Sequence, residues 1–330
     1  MTQALRTMGL VDQAQESRFE PLAGGVSSDI WRVDTPRGPI CVKRARPRLA
    51  VAADWCVPVA RNAVEAAWFR TAGTILPDAV PQILAEDRDA DIFAMSYLDP
   101  ASHPTWKSGL LDGSTSAGVA AAVGRRLASL HAATANRPDL AEAFANDDLF
   151  AALRIDPYLI AAAKAHPDIA ERLQELAGIT LSTQRALIHG DVSPKNILVG
   201  EAGPVFLDAE CAVYGDPAFD LAFCLTHLML KPLAQPQAMA LHLASYRSLV
   251  DAYLDGVTWE PVGDLAARAA ALLPALMLAR VDGKSPVDYL ATGQQAEVRN
   301  FARAWLFDPA KELDTIAAAW RTRIMTKETV

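Results

Sequence analysis

Along the first hundred residues the hydrophobic positions tend to alternate; beyond them they recur every three to four. Residues 19–22, 30–34 and 39–44 read as short strands, and 80–86 and 91–98 as two more around a polar turn at 87–90. One helix is expected among them at 61–70, where Val64, Ala67 and Trp68 share a face. Pro100 has no amide hydrogen to give a neighbouring strand, so the chain is expected to divide at 98/99. From about Asp112 the period becomes helical. Val119, Val123, Leu127 and Leu130 form one stripe, and 149–153, 158–165, 169–176, 221–230, 238–254, 262–281, 300–306 and 311–323 read as further helices. Pro167 breaks one of them, Asp216 and Pro217 start another as N-cap and first helical residue, and Gly283 and Pro286 end a third. Two short apolar runs, one ending before His189 and one at 205–207, read as strands within the helical part. The fold class expected is therefore α+β, a small antiparallel sheet with one helix over residues 1–98 and a larger, mainly helical part over 99–330.

Composition changes this picture little. A chain of 330 residues that is 51% hydrophobic can bury a core in each part. There is no uninterrupted apolar run near the roughly 20 residues a bilayer span needs, and the first residues lack the basic-then-apolar order of a secretory signal. Cys41, Cys56, Cys211 and Cys224 show no C-x-x-C or Cys/His metal spacing and read as reduced thiols of a cytoplasmic protein. A net charge of −8 without a basic block argues against nucleic acid as a partner. No membrane partner is expected either.

The chemistry concentrates in residues 187–221. His189-Gly190-Asp191 closes a short apolar run, Asn196 follows five residues after Asp191, and the next strand delivers Asp208 and Glu210. Phosphoryl transfer needs such a set: a carboxylate at the attacking hydroxyl, and an amide and a second acid for Mg²⁺. The Asp-to-Asn spacing is that of the kinase signature H-R-D-x-x-x-x-N, with Gly190 in place of the arginine and Asp-Ala-Glu in place of Asp-Phe-Gly. An acidic turn capping a hairpin would explain one of these residues but not four. Upstream, Gly24 and Gly25 lie in a small-residue loop with Ser27 whose backbone amides can approach phosphates. Lys43 ends the following strand, and Glu65 lies one step from the apolar stripe of the helix, within reach of it.

The run HGDVSPKN, followed by LDAECAVYGDPAFDLA, resembles the aminoglycoside phosphotransferase and choline kinase superfamily, the small-molecule branch of the protein-kinase-like fold. The resemblance implies a two-lobed enzyme that moves the γ-phosphate of ATP or GTP to a hydroxyl of a small molecule. It makes residues 1–98 the nucleotide-binding lobe and 99–330 the catalytic and acceptor-binding lobe. Carried over residue by residue, Asp191 is the catalytic base, Asn196 and Asp208 hold Mg²⁺, and Glu210 assists as in members with Asp-x-Glu. Lys43, paired with Glu65, neutralises the α/β-phosphates beneath the Gly24-Gly25-Ser27 loop. Met95 and Tyr97, by position, flank the hinge that reads the nucleobase. His189 and Asp220 brace the catalytic loop, and His131 is read as a hydrogen-bonded core residue.

The acceptor stays open among sugars, amino alcohols, homoserine-like molecules and aminoglycosides. Residues 44–58 partly resemble the stretch of methylthioribose kinases between the ATP-binding lysine and the glutamate helix, which tilts the reading toward a sugar. Arg280 and Asp282, with Lys284, are candidates for the acceptor pocket, although a charged helix end accounts for them equally well. Too few residues separate Glu210 from Asp216 for a polypeptide-binding activation segment, which argues against a protein kinase. The alternative from another class is a nucleotide-binding pseudokinase or regulatory module.

Overall fold

Five strands build the first, smaller part of the protein. They are β1 (Phe19–Pro21), β2 (Ser28–Thr35), β3 (Gly38–Ala45), β4 (Ile83–Asp87) and β5 (Ile92–Ser96), all antiparallel in the order β1-β2-β3-β5-β4. The structure, a computed structural model, describes residues 1–12, 18–22, 28–46 and 58–327. Side chains alternate across the central strands. Ile40, Val42, Ile92 and Ala94 face one side, where helix α1 (Thr2–Thr7) covers them with Ala4 and Leu5. Cys41, Phe93 and Met95 face the other, under helix α2 (Arg61–Ile75). The period of two was legible in the sequence; α1, too short to carry a periodic signal, was not. Helix α2 turns Arg61, Glu65, Trp68, Phe69 and Ala72 inward at helical spacing. Trp68 then meets the His189 ring edge-on at 4.9 Å, which fixes α2 against the loop that follows His189.

The larger part is helical. Its helices are α3 (Trp106–Asp112), α4 (Ala117–Thr134), α5 (Pro138–Ala143), α6 (Asp147–Phe150), α7 (Ala161–Ala165), α8 (Ala170–Ser182), α9 (Pro217–Ala234), α10 (Met239–Leu254), α11 (Val262–Asp282), α12 (Thr292–Phe307) and α13 (Leu313–Lys327). Two small ribbons lie within it, β6 (Ala186–Ile188) with β9 (Val213–Gly215), and β7 (Ile197–Gly200) with β8 (Gly203–Phe206). This is the protein-kinase-like α+β architecture expected from the sequence. Two helices differ in extent. α12 begins at Thr292 rather than at 300, since its first turns are polar and carry no apolar period. The two helices expected at 149–153 and 158–165 are one, joined by a wide π-helical stretch over Ala151–Ile160. Pro157 lies inside that stretch and has no amide hydrogen for a tighter ladder.

Helix α11 is long and apolar enough to cross a membrane by composition, with a mean hydropathy of 1.5 over 18 residues. Leu272, Leu273, Leu276 and Met277 are instead buried in the protein core. Its Arg268 grips both oxygens of Asp216 at 3.0 Å, while Asp216 accepts from the Ala218 amide and caps α9. The cap and the clamp together fix the start of α9, the helix on which the His189-Gly190 backbone rests.

Candidate active site

The loop after β6 is held from below by α9. Asp220, fully buried in the first turn of α9, accepts hydrogen bonds from the amides of His189 (2.7 Å) and Gly190 (2.8 Å). His131 Nε2 lies 3.3 Å from the same carboxylate, and its Nδ1 meets the Tyr253 hydroxyl at 2.8 Å. His189 Nε2 donates to Leu207 O (3.0 Å), and its Nδ1 accepts from the Asp191 amide (3.1 Å). One nitrogen donates and the other accepts, so the ring is neutral. Burial, which lowers its pKa, favours the same state. Gly190 adopts φ +77°, and a Cβ there would lie 2.6 Å from Cys211 O. No side chain fits, which explains why glycine stands where protein kinases have arginine.

Within this frame Asp191 is 4% exposed. Asn196 donates through Nδ2 to Asp191 Oδ2 (2.7 Å) and to its carbonyl (3.1 Å), closing the five-residue loop. A residue missed in the sequence completes the group. Arg154, from the π-helical stretch, places a guanidinium nitrogen 2.9 Å from Asp191 Oδ2 and donates from Nε to Gly190 O at 2.6 Å. Lys195 Nζ stands 3.6 Å from the same carboxylate oxygen. Burial opposes the charge on Arg154, but Asp191 and the other acidic groups around it together outweigh that and keep the guanidinium charged. The signal available in the sequence was a lone arginine in the apolar run FAALRIDPYLI, since a buried guanidinium requires an anionic or carbonyl partner.

The second carboxylate group forms around Lys43. Its Nζ lies 2.6 Å from Glu65 and 2.5 Å from Asp208. Burial works against the ammonium, yet the two carboxylates hold its pKa above the usual lysine range. Burial likewise works against the Asp208 carboxylate, but Lys43 and then Lys195 hold it below the usual carboxylate range. One ammonium thus serves two acids. Glu65, the more deeply buried, is pushed up by that burial to about 8. Asp208 adopts φ +66°, a left-handed conformation that costs a non-glycine residue on the order of 1–3 kcal/mol and recurs at functional sites.

Glu210 pairs with Arg61 at 3.1 Å. Arg61 is fully buried, not the surface charge that its place at a helix start allows, and also donates to Pro58 O and Arg46 O. Arg61→Met is expected to cost on the order of 1–3 kcal/mol, because it removes a buried charged partner of Glu210 and the donor to Pro58 O and Arg46 O. Chemical denaturation would measure this, and a wild-type midpoint would show the pair to be dispensable.

The oxygen donors present suit Mg²⁺. Asn196 uses its nitrogen on Asp191, and its Oδ1 accepts no hydrogen bond among the described residues. Asp208 has a second oxygen beyond the one facing Lys43. Two hard oxygen ligands match an ion that keeps waters and completes its shell with phosphate oxygens. Among the described residues no group of three His, Cys, Asp or Glu side chains is arranged for a metal, so an all-protein cage is not what the site offers.

Met95 is buried on β5 between Cys41 and Ile83, and Tyr97 is partly exposed with the Arg32 guanidinium 5.4 Å from its ring. Gly24, Gly25 and Ser27, and most of the 44–58 insertion, lie outside the described residues. The structure separates Arg280 from Asp282. Arg280 turns toward Tyr158, donating to its hydroxyl at 3.3 Å. Asp282 turns to His166 and Arg299, each at 2.8 Å, and ties α11 to α12.

Over 232 residues the chain is 27% identical to the methylthioribose kinase of Pectobacterium atrosepticum, covering 61% of this chain. It spans 56%, 64% and 54% of the lengths of three methylthioribose kinases it matches, less than two thirds of each. The solved Plasmodium vivax ethanolamine kinase aligns with a TM-score of 0.57 at 12% identity, over 90% of this chain and 85% of that one. An amicoumacin kinase in complex with AMP-PNP and Ca²⁺ aligns at 0.56, also at 12% identity, over 94% and 95%. These likenesses show the protein-kinase-like fold. Residues 18–253 match the phosphotransferase enzyme family, APH, and the chain belongs to that family.

Proposed function

We propose that this protein is a small-molecule kinase, moving the γ-phosphate of ATP or GTP to an acceptor hydroxyl. The observation that carries the reading is the joining of two groups, Asp191 held by Asn196 and Arg154, and Lys43 held between Glu65 and Asp208, through the hydrogen bond from the Leu207 amide to Asn196 O at 2.8 Å. In this reading residues 1–98 bind the nucleotide, with Met95 and Tyr97 at the nucleobase and Gly24, Gly25 and Ser27 over the phosphates. Residues 99–330 supply catalysis and take the acceptor. Asp191 accepts the hydroxyl proton and aims the oxygen, while Arg154 and Asn196 fix the carboxylate. Lys43 leaves Asp208 for the α/β-phosphates and keeps Glu65. Bound Mg²⁺, on Asn196 and Asp208 with Glu210 assisting from its contact with Arg61, would neutralise phosphate charge. Catalysis is then positioning and charge neutralisation, with no covalent intermediate on the protein.

The test is Mg²⁺-dependent ADP release across methylthioribose, simple sugars, hydroxy acids, homoserine, choline and aminoglycosides. Stimulation by one class is the expected result. Failure to bind any nucleotide in the presence of Mg²⁺ would remove the reading.

A further inference from the structure

Beyond Asp191 the inner face of α9 continues through Phe223, His227 and Lys231, one and two turns apart. Phe223 lies under the Arg154 guanidinium, 5.7 Å from it, and its ring meets Tyr158 at 5.5 Å and His227 at 5.6 Å. Tyr158 in turn carries Arg280, 5.8 Å from its ring. The wall therefore runs without a break from the catalytic carboxylate to Lys231 and Arg280.

Its far end is cationic and uncompensated. Lys231 is 3% exposed, yet its ammonium forms no ion pair or hydrogen bond among the described residues. It has only the Tyr289 ring, 5.1 Å away. Arg280 gives one nitrogen to Ser285 and Tyr158 but forms no ion pair among the described residues, and its Nε is buried without a partner. His227 is 8% exposed and its nitrogens make no hydrogen bond among the described residues. Lys107 and Lys195 add to the positive field felt by His227. Asp288 favours the Lys231 ammonium through its charge, but the two form no ion pair among the described residues. Buried cations are costly unless paired. Lys231, buried, and Arg280, half-buried with its Nε buried, face one wall beside His227, an arrangement of charge that suits an anionic ligand.

We infer that the acceptor carries an anionic group, a carboxylate or a phosphate, which Lys231 and Arg280 bind while Asp191 addresses its hydroxyl. This rests on the kinase reading of the same site and narrows its acceptor. Eight residues separate Phe223 from Lys231, about 12 Å of helix, and the lysine stem leans back toward the helix N-terminus. The acceptor is thus of sugar-acid or sugar-phosphate size, with hydroxyl and anion at opposite ends. A cation such as choline or an aminoglycoside would meet repulsion here. Burial, with Lys107 and Arg280, lowers the Lys231 pKa to about 8, a depression that a bound anion reverses.

The experiment titrates gluconate, ribose 5-phosphate and inorganic phosphate into protein already saturated with Mg²⁺ and AMP-PNP, beside ribose and choline. We expect an anion to bind and the neutral and cationic compounds not to. Gluconate against ribose 5-phosphate separates carboxylate from phosphate. Lys231→Met should weaken anion binding by about tenfold or more, the worth of one charge-assisted hydrogen bond, and Lys231→Arg should restore most of it. Lys231→Met should also raise Tm, because methionine fills the space with no ammonium to desolvate; a merely structural lysine would lower it. Equal anion binding by wild type and Lys231→Met, absence of binding by all three anions, or preference for choline would overturn the inference. Failure of AMP-PNP to bind in the first step would instead count against the kinase reading, and the anion titrations would still stand.

Discussion

Asp191→Asn is expected to lower acceptor-stimulated ADP release by about 10²–10⁴-fold, the range of a positioned general base, while nucleotide affinity changes little. The substitution keeps the shape of the side chain and one oxygen, so the carbonyl of residue 191 still accepts from Asn196. What it removes is the second carboxylate oxygen that can receive a proton, and the charge that Arg154 and Lys195 face. Arg154 keeps the carbonyls of Gly190 and Leu153, so the loop retains its anchor. Lys43, Glu65 and Asp208 are untouched. Comparing turnover with Mg²⁺-dependent nucleotide binding separates the two groups of the site. Full turnover in the mutant would assign the proton to another residue, and equal losses in turnover and nucleotide binding would mean that the loop had collapsed.

Much of this site was legible because its residues are close in sequence. The Asp191–Asn196 spacing, the strand that delivers Asp208 and the cap at Asp216 are all local patterns, each set by a turn or a helix start. Lys43 was legible from the alternation along its strand, whereas Glu65 was placed one step off a stripe of Val64, Ala67 and Trp68 and instead lies on the inward face of α2 with Arg61, Trp68 and Phe69. Arg154 was hidden because its partner is 37 residues away and its own segment is a π-helical turn that neither period describes. Arg280 and Asp282 were both candidates for the acceptor pocket because they lie two apart at one helix end, yet a helix rotates such neighbours to different sides. One meets Tyr158 and the other α12. Lys231 was hidden for the opposite reason: among the described residues it has no ion-pair partner whose spacing could have pointed to it.

The largest loss of stability is expected from Asp220→Ala. This carboxylate is fully buried, accepts from two successive amides and faces the His131 ring nitrogen. Without it two backbone N–H groups stay buried with no acceptor, at about 1–3 kcal/mol each. The His131–Tyr253 contact also loses its anchor, and a small cavity opens under the loop. Together these reach on the order of 4–5 kcal/mol, the range reserved for broken buried networks. Asp220 is a positioning residue, so its loss must act on Asp191 through the His189-Gly190 backbone. The prediction is therefore double, a large fall in the denaturation midpoint and, where the mutant is folded, a fall in kcat with nucleotide KM nearly unchanged. Asp220→Asn discriminates further, because one amide oxygen can still accept from one of the two N–H groups while its NH₂ confronts the other. It should keep part of the stability and less of the turnover. Wild-type stability in Asp220→Ala would mean that the ribbon of β6 and β9 holds the loop unaided, and the helix beneath would lose its part in setting the geometry of the site.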